Sequence, residues 1–448
     1  MVLGTDRRVL ALAMARMADA LGNSFLIIVL PLYIASGQVA IDGIVGTEML
    51  GFTLTEEFLI GLVLSLFGFL NSFGQPITGR LSDRVGVRKP FILGGLVVFG
   101  VASAAYPFVS SYAAVLLVRA FQGLGAALTV PATIALVNDY ATSDSERGGN
   151  FGVFNTFRLI GFGFGPIVAG IVVAGGFGRE TVTQYTLGSF ALSGFNAAFA
   201  IAVIGAVVSF ALVVWLVDEP PRPDAEAADN LSVKVLDPDG GLDTVFAVGV
   251  GTLFMALTIA LFATLQEPIN NALGQGSTLF GLQFSAVVIA NVFLQVPIGN
   301  WADEYGRRPF IVAGFALLVP SVLAQGLIPL VTGVAGFVGP ALMLLARLLQ
   351  GVAVAMVFAP GLAIAGDLAR GGNSGTTLSV LTMAFGLGVA FGPLVSGVLF
   401  SFGLLAPFAF GAGLSLLALV ITVTQVEETL GTGSAPPDAD DPSAVGGD

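Results

Sequence analysis

Long apolar runs alternate with short polar breaks along almost the whole chain. Crossing a hydrocarbon layer of ~30 Å takes about 20 apolar residues as helix. Runs of that length occur at 9–34, 58–78, 90–109, 113–138, 150–175, 191–217, 244–266, 279–298, 309–331, 338–366, 376–400 and 403–424. Their length and continuity predict helices, because membrane strands are about ten residues long and alternate in polarity. The expected fold is an all-α membrane protein of twelve transmembrane helices. A Pro-rich acidic stretch, "DEPPRPDAEAADNLSVKVLDPDGGLD" at 218–243, separates six runs from six and reads as a linker. The expected organisation is an N-terminal half at 1–217, that linker, a C-terminal half at 244–425, and an acidic tail at 426–448 with the composition of disorder.

Composition sharpens this picture. Of 448 residues, 55% are hydrophobic and 10% charged, and mean hydropathy is +0.93. Soluble domains carry about 25% charged residues. Cysteine and histidine are absent, which removes disulfides, thiolate or imidazole metal sites, and the usual neutral-pH proton carrier. No P-loop, dinucleotide motif or nucleophile–base set occurs, so no enzymatic activity and no cofactor or metal is expected. No basic patch extends beyond short loops, which disfavours nucleic acid. The first apolar run is long enough to span and contains Arg16 and Asp19, unlike an export signal.

The basic residues set an expected orientation. With the N-terminus inside, Arg7, Arg8, Arg80, Arg84, Arg88, Lys89, Arg147, Arg222, Lys234, Arg307, Arg308 and Arg370 all fall inside. Arg179 falls outside, and Arg16, Arg119, Arg158 and Arg347 lie within helices. Both termini are therefore expected in the cytoplasm.

The chain also repeats itself. "GRLSDRVGVRKP" from Gly79 is answered by "GNWADEYGRRP" from Gly299. "LVRAFQGLGAALTVPATIALVNDYA" from Leu117 is answered by "LARLLQGVAVAMVFAPGLAIAGDLA" from Leu345, aligning Arg119 with Arg347, Gln122 with Gln350 and Asp139 with Asp367. "GFGFGPIVAG" at 161–170 is answered by "GLGVAFGPLVSG" at 386–397. Internal duplication is a known transporter plan, with a substrate site near the midplane between halves.

These residues resemble the major facilitator superfamily along essentially the whole chain. The loop Gly79-x3-Asp83-Arg84-x-Gly86-x-Arg88-Lys89 is similar to that family's motif A, echoed by Gly299-x3-Asp303-x2-Gly306-Arg307-Arg308. Arg119-x2-Gln122-Gly123 is similar to motif B. Gly161-x3-Gly165-Pro166-x3-Gly170 is similar to the antiporter motif C, with Ala169 in place of one glycine of its terminal pair. The combination resembles the twelve-helix drug:proton antiporter branch. It implies a plasma-membrane monomer that takes a small, lipophilic substrate and protons as partners in the bilayer and exports by alternating access. An importer of a sugar or organic anion, and a non-transporting receptor, stand as alternatives.

Several positions carry the expected chemistry. Gly79 is expected to turn the chain at the end of helix 2, and Pro90 to open helix 3. Asp83, Arg84, Gly86, Arg88 and Asp139, with Asp303, Gly306, Arg307 and Arg308 in the echo, form either a latch between the halves or a plain positive-inside turn. Asp19 lies ~15 Å into helix 1, Arg119 ~10 Å into helix 4, Arg158 ~12 Å into helix 5 and Arg347 ~14 Å into helix 10. Charges at such depth cost a few kcal/mol unless paired or wetted, which argues for a polar cavity between the halves. Asp19 is the expected proton carrier, with an Arg16–Asp19 structural pair as its alternative, and Arg119 is expected to organise substrate binding or proton coupling. Arg16, Asn23, Gln122, Asn155, Arg158, Gln266, Arg347 and Gln350 are candidate cavity residues. Gly161, Gly165, Pro166, Gly170, Gly392 and Pro393 form a hinge or seal, or ordinary small-residue packing.

Overall fold

A computed structural model describes residues 6–49, 52–141, 143–176, 182–220, 235–236, 241–331, 336–368 and 374–430. Most of the linker, the tail from 431, and Arg179, Arg222, Lys234 and Arg370 lie outside the described residues. Among the described residues, twelve helices are long and apolar enough to cross a membrane. In chain order, helices 1 to 6 are Arg7–Gln38, Glu56–Val85, Lys89–Phe108, Tyr112–Asp139, Gly149–Ala174 and Gly194–Leu216. Helices 7 to 12 are Thr244–Leu273, Ser277–Tyr305, Arg307–Leu330, Val338–Leu368, Val380–Phe400 and Leu405–Gln425. An even number of crossings puts both ends of the bundle on one side, here called the terminal side; the opposite side is the far side.

The helix ends correct the sequence reading at the charged loops. Helix 2 runs seven residues past 78, so Gly79 lies inside it, and the turn falls at Gly86, with φ 76°. Gly299 is likewise inside helix 8, and the break comes at Gly306, with φ 104°. Polar residues end an apolar run in hydropathy, but they do not end a helix: main-chain hydrogen bonding continues until a residue without Cβ accepts a positive φ. Pro90 does sit in the first turn of helix 3. Helix 6 starts later than expected, because Phe190–Ser193 pairs antiparallel with Gln184–Leu187 in a far-side hairpin. Helix 7 is interrupted by a 3-10 segment at Leu261–Leu265 before it resumes at Gln266.

Small residues set the packing within each half. An added Cβ on Gly161 would lie 2.2 Å from the Met17 carbonyl, and one on Gly165 2.0 Å from Ser24 Oγ, so helix 5 rides on helix 1 backbone to backbone. Helix 11 repeats this on helix 7, where an added Cβ would lie 2.3 Å from the Leu253 carbonyl on Gly388 and 2.5 Å from Ala260 Cβ on Gly392. Between the halves the same device recurs at several glycines. A Cβ added to Gly281 of helix 8 would lie 2.2 Å from the Pro166 carbonyl of helix 5, and one added to Gly61 of helix 2 would lie 2.3 Å from the Pro393 carbonyl of helix 11. Gly170 meets Ser277, Gly397 meets Glu57, and Leu394 N–H donates to Ser65 Oγ at 3.0 Å. All of these contacts lie on the far-side portion of helices 2, 5, 8 and 11. One large hydrophobic cluster accordingly runs through both halves, while a second is confined to the terminal side of the first half, around Leu12, Leu96, Leu136 and Phe154.

Candidate functional site

Helix 1 presents Leu12, Ala15, Arg16 and Asp19 on one face, as the 3.6-residue period requires. Arg16 Nη1 donates to Asp19 Oδ2 within the same helix, and Asp19 is buried. Pairing at i,i+3 lets two charges enter a hydrocarbon-like interior together, which neither does cheaply alone. A cavity of about 10 Å³ adjoins the pair, lined also by Thr129, Thr133 and Ser209, with room for about one water. Each hydroxyl spends its proton on a carbonyl: Thr129 on Gly125 at 2.9 Å, Thr133 on Thr129 at 2.7 Å, and Ser209 on Ala15 at 2.7 Å. Their oxygens keep the capacity to accept. Arg16 Nε makes no hydrogen bond to the protein.

Arg158 of helix 5 lies near enough to Arg16 for the two charges to repel. Its Nε and Nη2 both donate to Asn155 Oδ1, at 3.0 and 2.8 Å. No carboxylate among the described residues lies within ion-pair distance of it. Arg16, Asp19, Asn155 and Arg158 are thus brought together from helices 1 and 5, the pair of helices that Gly161 and Gly165 hold in backbone contact.

Arg119 and Arg347 are placed otherwise. Both are sealed inside their own halves, 2% and 0% exposed, rather than lining an open cavity. Arg119 lies 4.4 Å over the Phe67 ring and donates to Gln122 Oε1 at 3.1 Å. Gln122 Oε1 also accepts from Tyr106 Oη at 2.9 Å, and its Nε2 donates to Ser103 Oγ at 2.9 Å. Arg347 lies 4.3 Å over Phe262 and donates to Gln350 Oε1 at 2.6 Å and to the Gln283 carbonyl at 3.2 Å. Gln350 Oε1 accepts from Gln325 Nε2 at 3.0 Å. An amide oxygen and an aromatic face together replace the water that a guanidinium would otherwise demand. Gln122 and Gln350 therefore serve the arginines. The partners Tyr106, Ser103, Gln283, Gln325, Phe67 and Phe262 were not evident in the sequence, because each comes from a neighbouring helix. The spacing Arg-x2-Gln was the one signal available.

Two other predicted cavity residues have polar atoms without a protein partner. Asn23 Oδ1 is one; Gln266 is fully buried with neither amide atom bonded, just after the break in helix 7.

The charged loops form matching clusters on the terminal side. Arg88 pairs with Asp83 at 3.4 Å and with Asp139 at 3.2 Å. The Arg88 and Lys89 main-chain N–H groups donate to Glu219 at 2.8 Å each. In the second half Arg307 pairs with Asp303 at 2.9 Å and with Asp367, and Arg308 N–H donates to Glu428 at 3.0 Å. Each of these contacts joins residues of one half. The loops brace their own bundles here, and a latch across the halves is not what these pairs make. Glu219 and Glu428 went unrecognised as site residues because they sit in acidic stretches that read as linker and tail. Residues 426–430 depart from the disordered tail expected there: Val426 is buried, and Glu428 caps the open N-terminal turn of helix 9. Burial alone would raise the Glu428 carboxyl, but main-chain donors from Arg308, Leu430, Arg307 and Thr429 outweigh it and hold it below its ordinary range. Arg84 lies in the exposed last turn of helix 2.

Residues 12–240 and 246–442 match the sequence pattern of the Major Facilitator Superfamily. The chain is 24% identical over 356 residues to the chromaffin granule amine transporter of Rattus norvegicus, a match covering 77% of this chain and 61% of that one. The chain thus spans less than two thirds of that relative. It is 28% identical over 177 residues to citrate exporter 1 of Aspergillus niger, covering 40% of this chain and 30% of that one. Among solved structures, a bacterial homolog of the human lysosomal transporter Spinster, inward-facing and occupied, superposes with a TM-score of 0.66 at 15% identity. It covers 93% of this chain and 94% of that one, a likeness of fold.

Proposed function

Since the chain belongs to the Major Facilitator Superfamily, we propose that this multi-pass secondary transporter is a proton-coupled antiporter exporting small, lipophilic organic compounds by alternating access. The supporting observation is the pair of part-buried Arg16 and buried Asp19, set beside Arg158 and against the small, largely apolar cavity between helices 1, 3, 4 and 6. With no histidine in the chain, a carboxylate must carry the proton, and Asp19 is a buried carboxylate in the middle of a helix. Protonating Asp19 would release Arg16, and a released guanidinium beside Arg158 would seek another acceptor. That exchange links proton occupancy to the set of helix 1 against helix 5. Close backbone contacts between the halves on the far side are what one end state of such a cycle needs. The relatives' names, an amine transporter and a citrate exporter, are consistent with small organic cargo. The surplus of Arg and Lys on the terminal side supports cytoplasmic termini; on this reading the protein is a plasma-membrane monomer.

The test uses the full chain in proteoliposomes. Asp19→Asn is expected to abolish flux driven by a pH gradient while sparing exchange without one. Arg16→Gln with Asp19→Asn guards against misfolding from a buried unpaired arginine, which costs ~3–5 kcal/mol. If the double variant folds and still concentrates substrate as the parent does, Asp19 is not the coupling acid.

A second reading, import of an organic anion, draws on Arg158, a half-buried guanidinium whose bonds go only to Asn155. Proton movement in the same direction as substrate would favour it over export.

A further inference from the structure

On the far side, a cavity of about 370 Å³ opens between the two halves, within the range of small-molecule sites, ~300–1,000 Å³. Its walls differ in chemistry. The first half contributes mainly apolar side chains, Leu32 and Ala35 from the end of helix 1 and Val173 and Val182 beside helix 5. The second half contributes a polar wall of Glu267, Asn270, Asn271, Gln275 and Ser277. None of the lining side chains is basic.

Two features make this wall selective. Glu267 is exposed in the cavity, and its carboxylate makes no hydrogen bond or ion pair with any described residue. Glu56 and Glu57 lie close enough to add like charge. A carboxylate among carboxylates, facing a half-enclosed space, gains from an incoming cation. The amides beside it are held in place: Gln275 Nε2 donates to Asn270 Oδ1 at 3.1 Å and to Gln283 Oε1 at 2.8 Å, and Gln283 Nε2 returns a bond to Gln275 Oε1 at 2.7 Å. Asn270 thereby keeps its oxygen turned to accept, and that oxygen has a second lone pair.

We infer that this vestibule is a ligand site, separate from Asp19 and Arg158, for a short amphiphilic ammonium ion. The ammonium group sits against Glu267 and the Asn270 oxygen, and the alkyl chain lies along Leu32, Ala35 and Val173. An anion would meet Glu267 directly, and a neutral alkanol would leave it uncompensated. Because the walls belong to different halves, a ligand touching both is held only while the far side is closed, so occupancy favours that arrangement.

The experiment titrates the purified full-length protein with n-hexylammonium, n-butylammonium and n-hexanol, reading thermal stabilisation and calorimetric binding. Hexylammonium is expected to stabilise the protein, with apparent affinity rising up to about fourfold per added methylene, and hexanol to do so far less. Glu267→Gln is expected to weaken hexylammonium binding about two- to fivefold. Folding should survive that change, since it relieves repulsion from Glu56 and Glu57. Ala35→Trp fills the apolar side without altering charge and is expected to abolish binding, which separates this site from any deeper one. Equal binding by parent, Glu267→Gln and Ala35→Trp, equal stabilisation by hexanol, or no stabilisation of the parent by hexylammonium would each overturn the proposal.

Discussion

The two halves share a scaffold and differ in their charges. Glycine contacts set the correspondence: Gly161 meets Met17 and Leu21 as Gly388 meets Leu253 and Leu257. On that register the arginine nodes match, Arg119–Gln122–Tyr106 against Arg347–Gln350–Gln325. The braced loops match as well, Asp83–Arg88–Asp139–Glu219 against Asp303–Arg307–Asp367 with Glu428 on Arg308. The charges near the midplane do not. Where the first half has Arg16, Asp19 and Arg158, the second has Thr252, Met255 and Phe385. Thr252 satisfies its hydroxyl on the Val248 carbonyl at 2.8 Å, and Met255 is fully buried. What is duplicated holds helices together; what is present once is available for chemistry specific to this protein.

The strongest way to break the comparison is at the glycines. Gly161→Ala and Gly388→Ala each force a Cβ into a main-chain carbonyl, and both should cost about 2–4 kcal/mol. Thermal unfolding of detergent-solubilised protein should show two similar losses. A large loss at one site and none at the other would mean the halves are not packed alike.

The arginine nodes come next. Gln122→Leu and Gln350→Leu each strip a buried guanidinium of an acceptor, at about 1–3 kcal/mol. Arg347 retains main-chain acceptors at Gln283 and Phe284, so the second-half variant should lose less. Reversal of that order would show that the aromatic face, rather than the carbonyls, carries Arg347.

The smallest effect concerns the carboxylates that brace the loops. Glu219→Gln and Glu428→Gln should each cost under about 1 kcal/mol, since both groups are partly solvated. For Glu428 the pH sign follows from its lowered folded-state value. Its contribution is fully present above the ordinary glutamate range, about 4.3, and is lost as pH falls through the lower folded value. Parent and Glu428→Gln stability curves should therefore converge in acid and separate toward neutrality. A constant gap down to the most acidic point would exclude a titrating brace.

The chain alone determined the number of crossings, the division into six and six, and the pairing of motifs across the duplication. Each is written linearly: hydrocarbon demands about 20 apolar residues per crossing, and a duplicated segment keeps its spacing. Tertiary structure alone decided what the buried polar groups touch. Successive helical residues point about 100° apart, so depth along a helix does not say which neighbour a side chain meets. That is why Arg119 and Arg347, placed at cavity depth by sequence, turn out to be sealed on aromatic rings and glutamines of adjacent helices. It is also why Glu428, acidic and near the chain's end, proves to be a cap on helix 9. The meeting of the halves on the far side, through Gly61, Gly281 and their proline carbonyls, was decided there too. Sequence records that a residue has no Cβ, and only packing brings another backbone into the space this leaves.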